Sequence, residues 1–264
     1  MKINKIIYLI LASFLLVFTA CEPIVDESSL SDSTDVAGVE LMSTQSTPGG
    51  NKITLKMDTP GVTGYWDYNL GKSLTNETTI VYPIPGKNTF TFVGTLGSQF
   101  FTKTIDVQID QLDTRLDQDW YDLVSENTTA GKTWVFDGAA GSGKAWWFMS
   151  PPDNADSAMS AWWNAGDCCP PVDGSGKMHF DLDKAANYNR YDNITSTTPE
   201  KGTFVLDPIN KKLIIKDAKI LGYEAGNAEQ TYTIVELTEN KLVLYTARSL
   251  KDKTTGWTFV FKPQ

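Results

Sequence analysis

The sequence predicts an all-β protein built from two successive β regions, and three observations carry that prediction. Residues 38–111 alternate apolar and polar side chains over short runs separated by Gly and Pro, the period of half-buried strands. Residues 112–264 hold eight further apolar or alternating runs joined by turn-forming residues. No long helical period interrupts either region. With 264 residues, 41% of them hydrophobic, the chain can bury a sizeable core.

The amino terminus reads as an address. Lys2 and Lys5 precede an apolar run from Ile6 to Phe18, then Thr19, Ala20 and Cys21, so residues 1–20 are expected to be a signal peptide. The run falls short of the roughly 20 apolar residues of a spanning helix. A cysteine placed directly after small residues resembles the bacterial lipoprotein signal, which implies that Cys21 is lipidated; a plain secretory peptide is the alternative. Glu22, Asp26, Glu27, Asp32 and Asp35 lie in a Ser-rich stretch with few apolar residues, so residues 21–37 are expected to be a tether. Acidic residues after such a cysteine resemble the sorting signal of Bacteroidota lipoproteins. That implies a lipid anchor in the outer membrane, facing the cell exterior.

Charge and composition exclude several functions. The formal net charge is −9, and removal of residues 1–20 takes away Lys2 and Lys5 but no acid. Such a chain lacks the basic footprint that holds nucleic acid. His179 is the single histidine, which leaves little room for His-rich metal sites or a Ser/His/Asp triad. Eight Trp and ten Tyr in an acidic chain favour stacking on flat neutral ligands, with sugars first.

In the first β region, Ile105, Val107 and Ile109 are expected to face a core while Thr104, Asp106 and Gln108 face water, and Phe90 and Phe92 repeat the pattern. Thr59-Pro60-Gly61 and Pro83 to Gly86 supply turns. A small sandwich suits residues 38–111. The runs Gly50-Asn51-Lys52-Ile53-Thr54-Leu55, Pro60-Gly61-Val62-Thr63-Gly64-Tyr65-Trp66-Asp67-Tyr68 and Pro85-Gly86-Lys87-Asn88-Thr89-Phe90 resemble a PKD-type immunoglobulin-like module. The resemblance implies that Trp66 is a packing residue and the module a spacer.

The charged stretch Leu112 to Gln118 is the expected seam, and Tyr121 to Gly131 is the one place where a helical turn is expected. Beyond it, strands are expected at Trp134–Phe136, Ala145–Phe148, Met178–Leu182, Phe204–Leu206, Leu213–Ile215, Tyr232–Leu237, Leu242–Tyr245 and Trp257–Phe261. Residues 207–210 and 238–241 read as hairpin connections. Eight strands fit a larger jelly-roll-like β-sandwich, with a lipocalin-like closed barrel as the alternative.

The stretch from Trp146 to Gly176 cannot be one regular element, because it holds two Trp-Trp pairs, two Pro-Pro pairs and many Gly, Asp and Asn residues. Long connections of this kind concentrate binding residues. Adjacent residues of a strand point to opposite faces, so one of Trp146 and Trp147, and one of Trp162 and Trp163, is expected to face outward. An exposed indole covers the C–H face of a pyranose, while Asn164, Asp167 and Asp153 can bond hydroxyls. The bland alternative packs all four indoles into the core.

Cys168 and Cys169 are adjacent, and in an exported protein they either close a vicinal disulfide that stiffens the turn before Pro170-Pro171 or remain free or buried thiols. Met178, Phe180 and Leu182 alternate with His179, Asp181 and Asp183. Two of Asp137, Asp181 and Asp183 are therefore the candidates for the acid and nucleophile of a glycoside hydrolase, against the bland reading of a solvated strand face. Asp137, Asp153, Asp167 and Asp173 are candidate oxygen ligands for a structural calcium ion, without EF-hand spacing. No other cofactor is implied.

Lys132-Thr133-Trp134-Val135-Phe136-Asp137, Trp162-Trp163-Asn164-Ala165-Gly166, Gly176-Lys177-Met178-His179-Phe180-Asp181-Leu182 and Tyr232-Thr233-Ile234-Val235-Glu236-Leu237 are similar to domains that end surface glycan-binding lipoproteins of gut Bacteroidota. The resemblance implies capture of a polysaccharide or oligosaccharide, β-glucan being one ligand class, without cleavage. It also implies work beside a TonB-dependent transporter and a starch-utilisation-type binding lipoprotein. The Cys168-Cys169 pair departs from that pattern. An endo-acting glycoside hydrolase and a structural or adhesive surface lipoprotein are the competing expectations.

Overall fold

The structure, a computed structural model, describes Val36 and residues 38–264. The expected signal peptide, Cys21 and, apart from Val36, the tether lie outside the described residues. No helix among the described residues is long and apolar enough to cross a membrane.

Seven strands occupy residues 41–109: β1 Leu41–Gln45, β2 Lys52–Met57, β3 Val62–Asp67, β4 Lys72–Ser73, β5 Glu77–Val81, β6 Gly86–Leu96 and β7 Gln99–Ile109. They form a three-stranded sheet in the order β1-β2-β5 and a four-stranded sheet in the order β4-β3-β6-β7. Alternation decides what is buried. Ile53, Leu55 and Met57 of β2 and Trp66, Phe90, Phe92, Val107 and Ile109 of the other sheet join one core, whereas Thr104, Asp106 and Gln108 are exposed. Trp66 is fully buried, its indole N–H donating to the Asn76 carbonyl at 3.1 Å and its ring meeting Phe92 edge-on at 5.2 Å.

The segment after β7 is docked rather than free. Buried Asn51 exchanges bonds with the Thr114 backbone, donating from Nδ2 at 2.9 Å and accepting from its N–H at 2.9 Å, and Leu116 is buried. The helix begins at Gln118 and ends at Val124, starting three residues before the expected turn, because the Asp117 carboxylate caps it by accepting from the Asp119 N–H at 3.0 Å. Its buried face, Trp120, Leu123 and Val124, packs on the second β region, where the Trp134 indole donates to the Leu123 carbonyl at 2.9 Å.

Ten strands follow: β8 Lys132–Phe136, β9 Trp147–Ser150, β10 Trp163–Asn164, β11 Lys177–Asp181, β12 Asn187–Tyr191, β13 Glu200–Asp207, β14 Lys212–Lys216, β15 Thr231–Thr238, β16 Lys241–Thr246 and β17 Gly256–Pro263. All pair antiparallel, and β11 to β17 follow one another in sequence order around the wall. Closure comes from β17, which pairs Phe261 with Phe136, Lys262 with Val135 and Pro263 with Trp134 of β8. The result is an eight-stranded barrel of β8 and β11–β17, the lipocalin-like alternative rather than the jelly-roll-like sandwich. The other half of β17 pairs with β9, which carries β10 on its free edge. One strand thus holds both the closure and the extension.

The barrel's inward positions are large. Phe259 and Phe261 of β17, Phe136 of β8 and Tyr232 of β15 are all buried and in ring contact, with Phe136 and Phe261 4.7 Å apart and Tyr232 and Phe259 5.8 Å apart. Phe180 meets Tyr188 at 4.9 Å and Phe204 at 5.2 Å. Side chains fill this lumen, as small barrels allow.

Candidate functional site

The two tryptophan pairs have opposite fates, and neither splits as strand alternation predicts. Trp147, on β9, points into the barrel and packs against Trp257 at 4.9 Å, with the Lys251 ammonium 4.9 Å above its ring. Trp146 is also buried, its ring meeting Phe136 edge-on at 4.9 Å. The segment after β10 folds back over this indole: a Cβ at Gly166 would lie 2.3 Å from the Trp146 ring and one at Gly138 equally close, so backbone sits directly on it. Trp146 and Trp147 are therefore not surface plates. They support the segment that carries the other pair.

Trp162 and Trp163 are both exposed, at 56% and 45%. The reason is position. Trp163 begins the two-residue edge strand β10, paired with Met149 of β9, and the Trp162 N–H donates to the Met149 carbonyl at 2.8 Å. The backbone is thereby fixed while the two rings project from a sheet edge. Met159, 47% exposed, precedes them in the same connection.

The expected polar partners disperse. Asn164 is turned inward: its Nδ2 donates to the Lys144 carbonyl at 2.7 Å and its Oδ1 is buried, so it presents no acceptor to the surface. Asp167 is exposed in the short helical turn Ala165–Cys168. Asp153 is engaged by Arg248, whose Nε lies 3.2 Å from its Oδ1. It lines a groove of about 420 Å³ with Asn227, Thr231, Tyr245 and Arg248, and neither Trp162 nor Trp163 belongs to that lining.

The acid pair of the hydrolase reading and the calcium set fare unequally. Asp181 and Asp183 do line one shallow cleft of about 290 Å³ with Asn187, Asn189 and Lys201. Asp181 Oδ1, however, is taken up by the Asp183 N–H at 3.0 Å and Asn187 Nδ2 at 2.6 Å, a turn-forming role. Asp137 lies elsewhere, bound by Lys144 at 2.9 Å. Asp137, Asp153 and Asp173 each face a different basic side chain. Among the described residues no group of three His, Cys, Asp or Glu could hold a metal ion, so the four aspartates do not converge on calcium.

Two features went unread in the sequence. Arg190 points inward from β12 and holds buried Asp173 at 2.7 Å, Glu200 at 2.7 Å and Asp192 at 2.9 Å. Burial raises the Asp173 carboxyl above its ordinary value, against the pull of Arg190 and of the Gly222 N–H that donates to it at 2.8 Å. This hub ties the loop after β10 to the loop before β15. The second is a groove of about 560 Å³ between the first β region and the barrel, lined among others by Tyr68, Leu70, Tyr82, Trp120 and Asp207.

Residues 130–244 match the family model of a lipocalin-like domain. The match runs from just before β8 to Leu244 in β16, so it spans seven of the eight wall strands and stops short of the closing strand β17. Lipocalin-like barrels are typically binding folds rather than enzymes. No curated protein matches the chain.

Proposed function

We propose that the protein is a non-catalytic, lipid-anchored binder of polysaccharide at the cell surface, with Trp162 and Trp163 as the stacking plates. The observation that carries this reading is the exposure of both indoles on a sheet edge outside a barrel whose lumen is already full. A lipocalin-type barrel often encloses one small ligand. Here Phe136, Tyr232, Phe259 and Phe261 take up that space, so the binding surface lies outside. Two adjacent flat apolar plates suit an extended chain of sugar rings better than a single compact ligand.

In this reading the first β region is a PKD-like spacer between the anchor at Cys21 and the barrel. The captured glycan, β-glucan among the candidate classes, passes to a TonB-dependent transporter and a starch-utilisation-type lipoprotein. Of the three expected polar partners, Asp167 is the exposed one nearest in sequence to the indole pair. The structural or adhesive alternative required all four indoles to be packed, and two are not.

Affinity electrophoresis of the chain through gels containing a panel of neutral polysaccharides, together with a reducing-end assay, tests the proposal. Retardation by at least one polysaccharide without new reducing ends is expected. New reducing ends would support the Asp181/Asp183 hydrolase instead, and no retardation by any polysaccharide would remove glycan capture.

A further inference from the structure

The turn that follows the exposed tryptophans carries a second piece of chemistry. Cys168 ends the helical turn Ala165–Cys168, and the Cys169 N–H closes it by donating to the Ala165 carbonyl at 2.7 Å. Both thiols are free and exposed, and their Sγ atoms are 2.6 Å apart. That is far inside the contact distance of two nonbonded sulfurs and approaches the bonded length of about 2.05 Å.

The surroundings hold the pair in place from both sides. Upstream, Gly166 rests on the buried Trp146 ring. Downstream, the Val172 N–H donates to Glu224 Oε1 at 3.2 Å, Glu224 pairs with Lys251 at 3.6 Å, and Asp173 is clamped by Arg190. A short turn anchored at both ends presents its two sulfurs together without the loss of entropy that normally opposes ring closure. The bond to Cys169, with the Asp167 carboxylate a lesser contributor, raises the Cys168 thiol above its ordinary value.

We propose that Cys168 and Cys169 form a redox modification site, a dithiol that a disulfide-bearing oxidant converts to a vicinal disulfide. One cysteine thiolate attacks the oxidant's disulfide, forming a mixed disulfide and expelling the first thiolate of the oxidant. The neighbouring sulfur then attacks the cysteine sulfur of that mixed disulfide and expels the second. Two cysteine thiols are oxidised, one external disulfide is reduced to two thiols, and the two protons leave with them. Adjacent Cα atoms are about 3.8 Å apart, below the span of ordinary disulfides. The closed ring is therefore readily reopened by reductant, which marks a modification site rather than a structural staple. This inference does not depend on glycan binding.

The test uses the full chain, reduced, freed of reductant, exposed to glutathione disulfide and then alkylated, with peptide mapping to separate Cys168 and Cys169 from Cys21. The peptide containing both is expected to lose two hydrogens, to resist alkylation, and to regain two alkylatable thiols after reduction. Cys168→Ser and Cys169→Ser are each expected to keep one glutathione adduct, the trapped intermediate. Both positions are exposed, so the fold is retained. Ring closure is expected to be faster in the native chain than in urea. A wild-type peptide that keeps glutathione, or both thiols still alkylatable, would overturn the proposal, as would closure at equal rates in native and urea-unfolded chains.

Discussion

The same dipeptide occurs twice within eighteen residues, and the fold treats it in opposite ways. Trp146-Trp147 is sealed, Trp147 against Trp257 and Trp146 between Phe136 and the backbone laid over it at Gly166. Trp162-Trp163 sits at the start of an edge strand, which Trp163 begins, and is open on both rings. Strand alternation states that neighbours point apart. It does not state what covers each side. The comparison shows that a tryptophan stays exposed through the absence of a covering layer, while the buried pair lies beneath the segment that follows the open pair.

The largest way to break this contrast is to truncate the buried pair. Trp146→Ala or Trp147→Ala is expected to destabilise the barrel by about 3–5 kcal/mol, the usual cost of truncating a buried indole, read as a shift of the urea midpoint with unchanged slope. A loss below 1 kcal/mol would mean that the site is not closely packed. Arg190→Met leaves Asp173 as an uncompensated buried charge, and a comparable loss of about 3–5 kcal/mol is expected from thermal or urea unfolding. Retained stability would show that water reaches Asp173.

Gly222 sharpens the comparison at a smaller scale. It sits at φ +74°, and a Cβ there would lie 2.7 Å from the Trp147 indole nitrogen. Gly222→Ala is expected to cost at least the roughly 1–2 kcal/mol of a left-handed L-residue. The exposed pair should behave in the reverse manner. Trp162→Ala or Trp163→Ala is expected to leave stability within about 0.5 kcal/mol. The same substitutions are expected to weaken polysaccharide binding by about 1–3 kcal/mol, as for interface anchors.

Much of the fold was legible because burial imposes a period. Met178, Phe180 and Leu182 are fully buried, and β14 Leu213 and Ile215 lie under the same rule. The connection at residues 207–210 is held by Asp207 accepting from the Asn210 N–H at 2.9 Å, the turn chemistry its composition implies. Strand β12 escaped because its inward set is Tyr188 and Arg190, and an arginine neutralised by Asp173 and Glu200 breaks the apolar signal of an inward position. Barrel closure was beyond local reading, since it rests on β17 meeting β8 more than a hundred residues away.

The site was less legible for the same reason. Which of four indoles stays open depends on where residues 164–174 fold back, a tertiary fact with no local pattern. Asn164 illustrates it. The residue type suits a sugar hydroxyl, but its amide is spent inside on Lys144.

The central claim is that the exposed pair, and not the buried one, contacts the glycan. It is tested most directly by titrating the retarding polysaccharide into the wild-type chain and into a Trp162→Ala/Trp163→Ala double variant whose unfolding curve is unchanged. The account predicts binding by the former and its loss in the latter. Equal affinity in both would place the ligand elsewhere, with the groove beside Tyr68 and Trp120 as the next surface to examine.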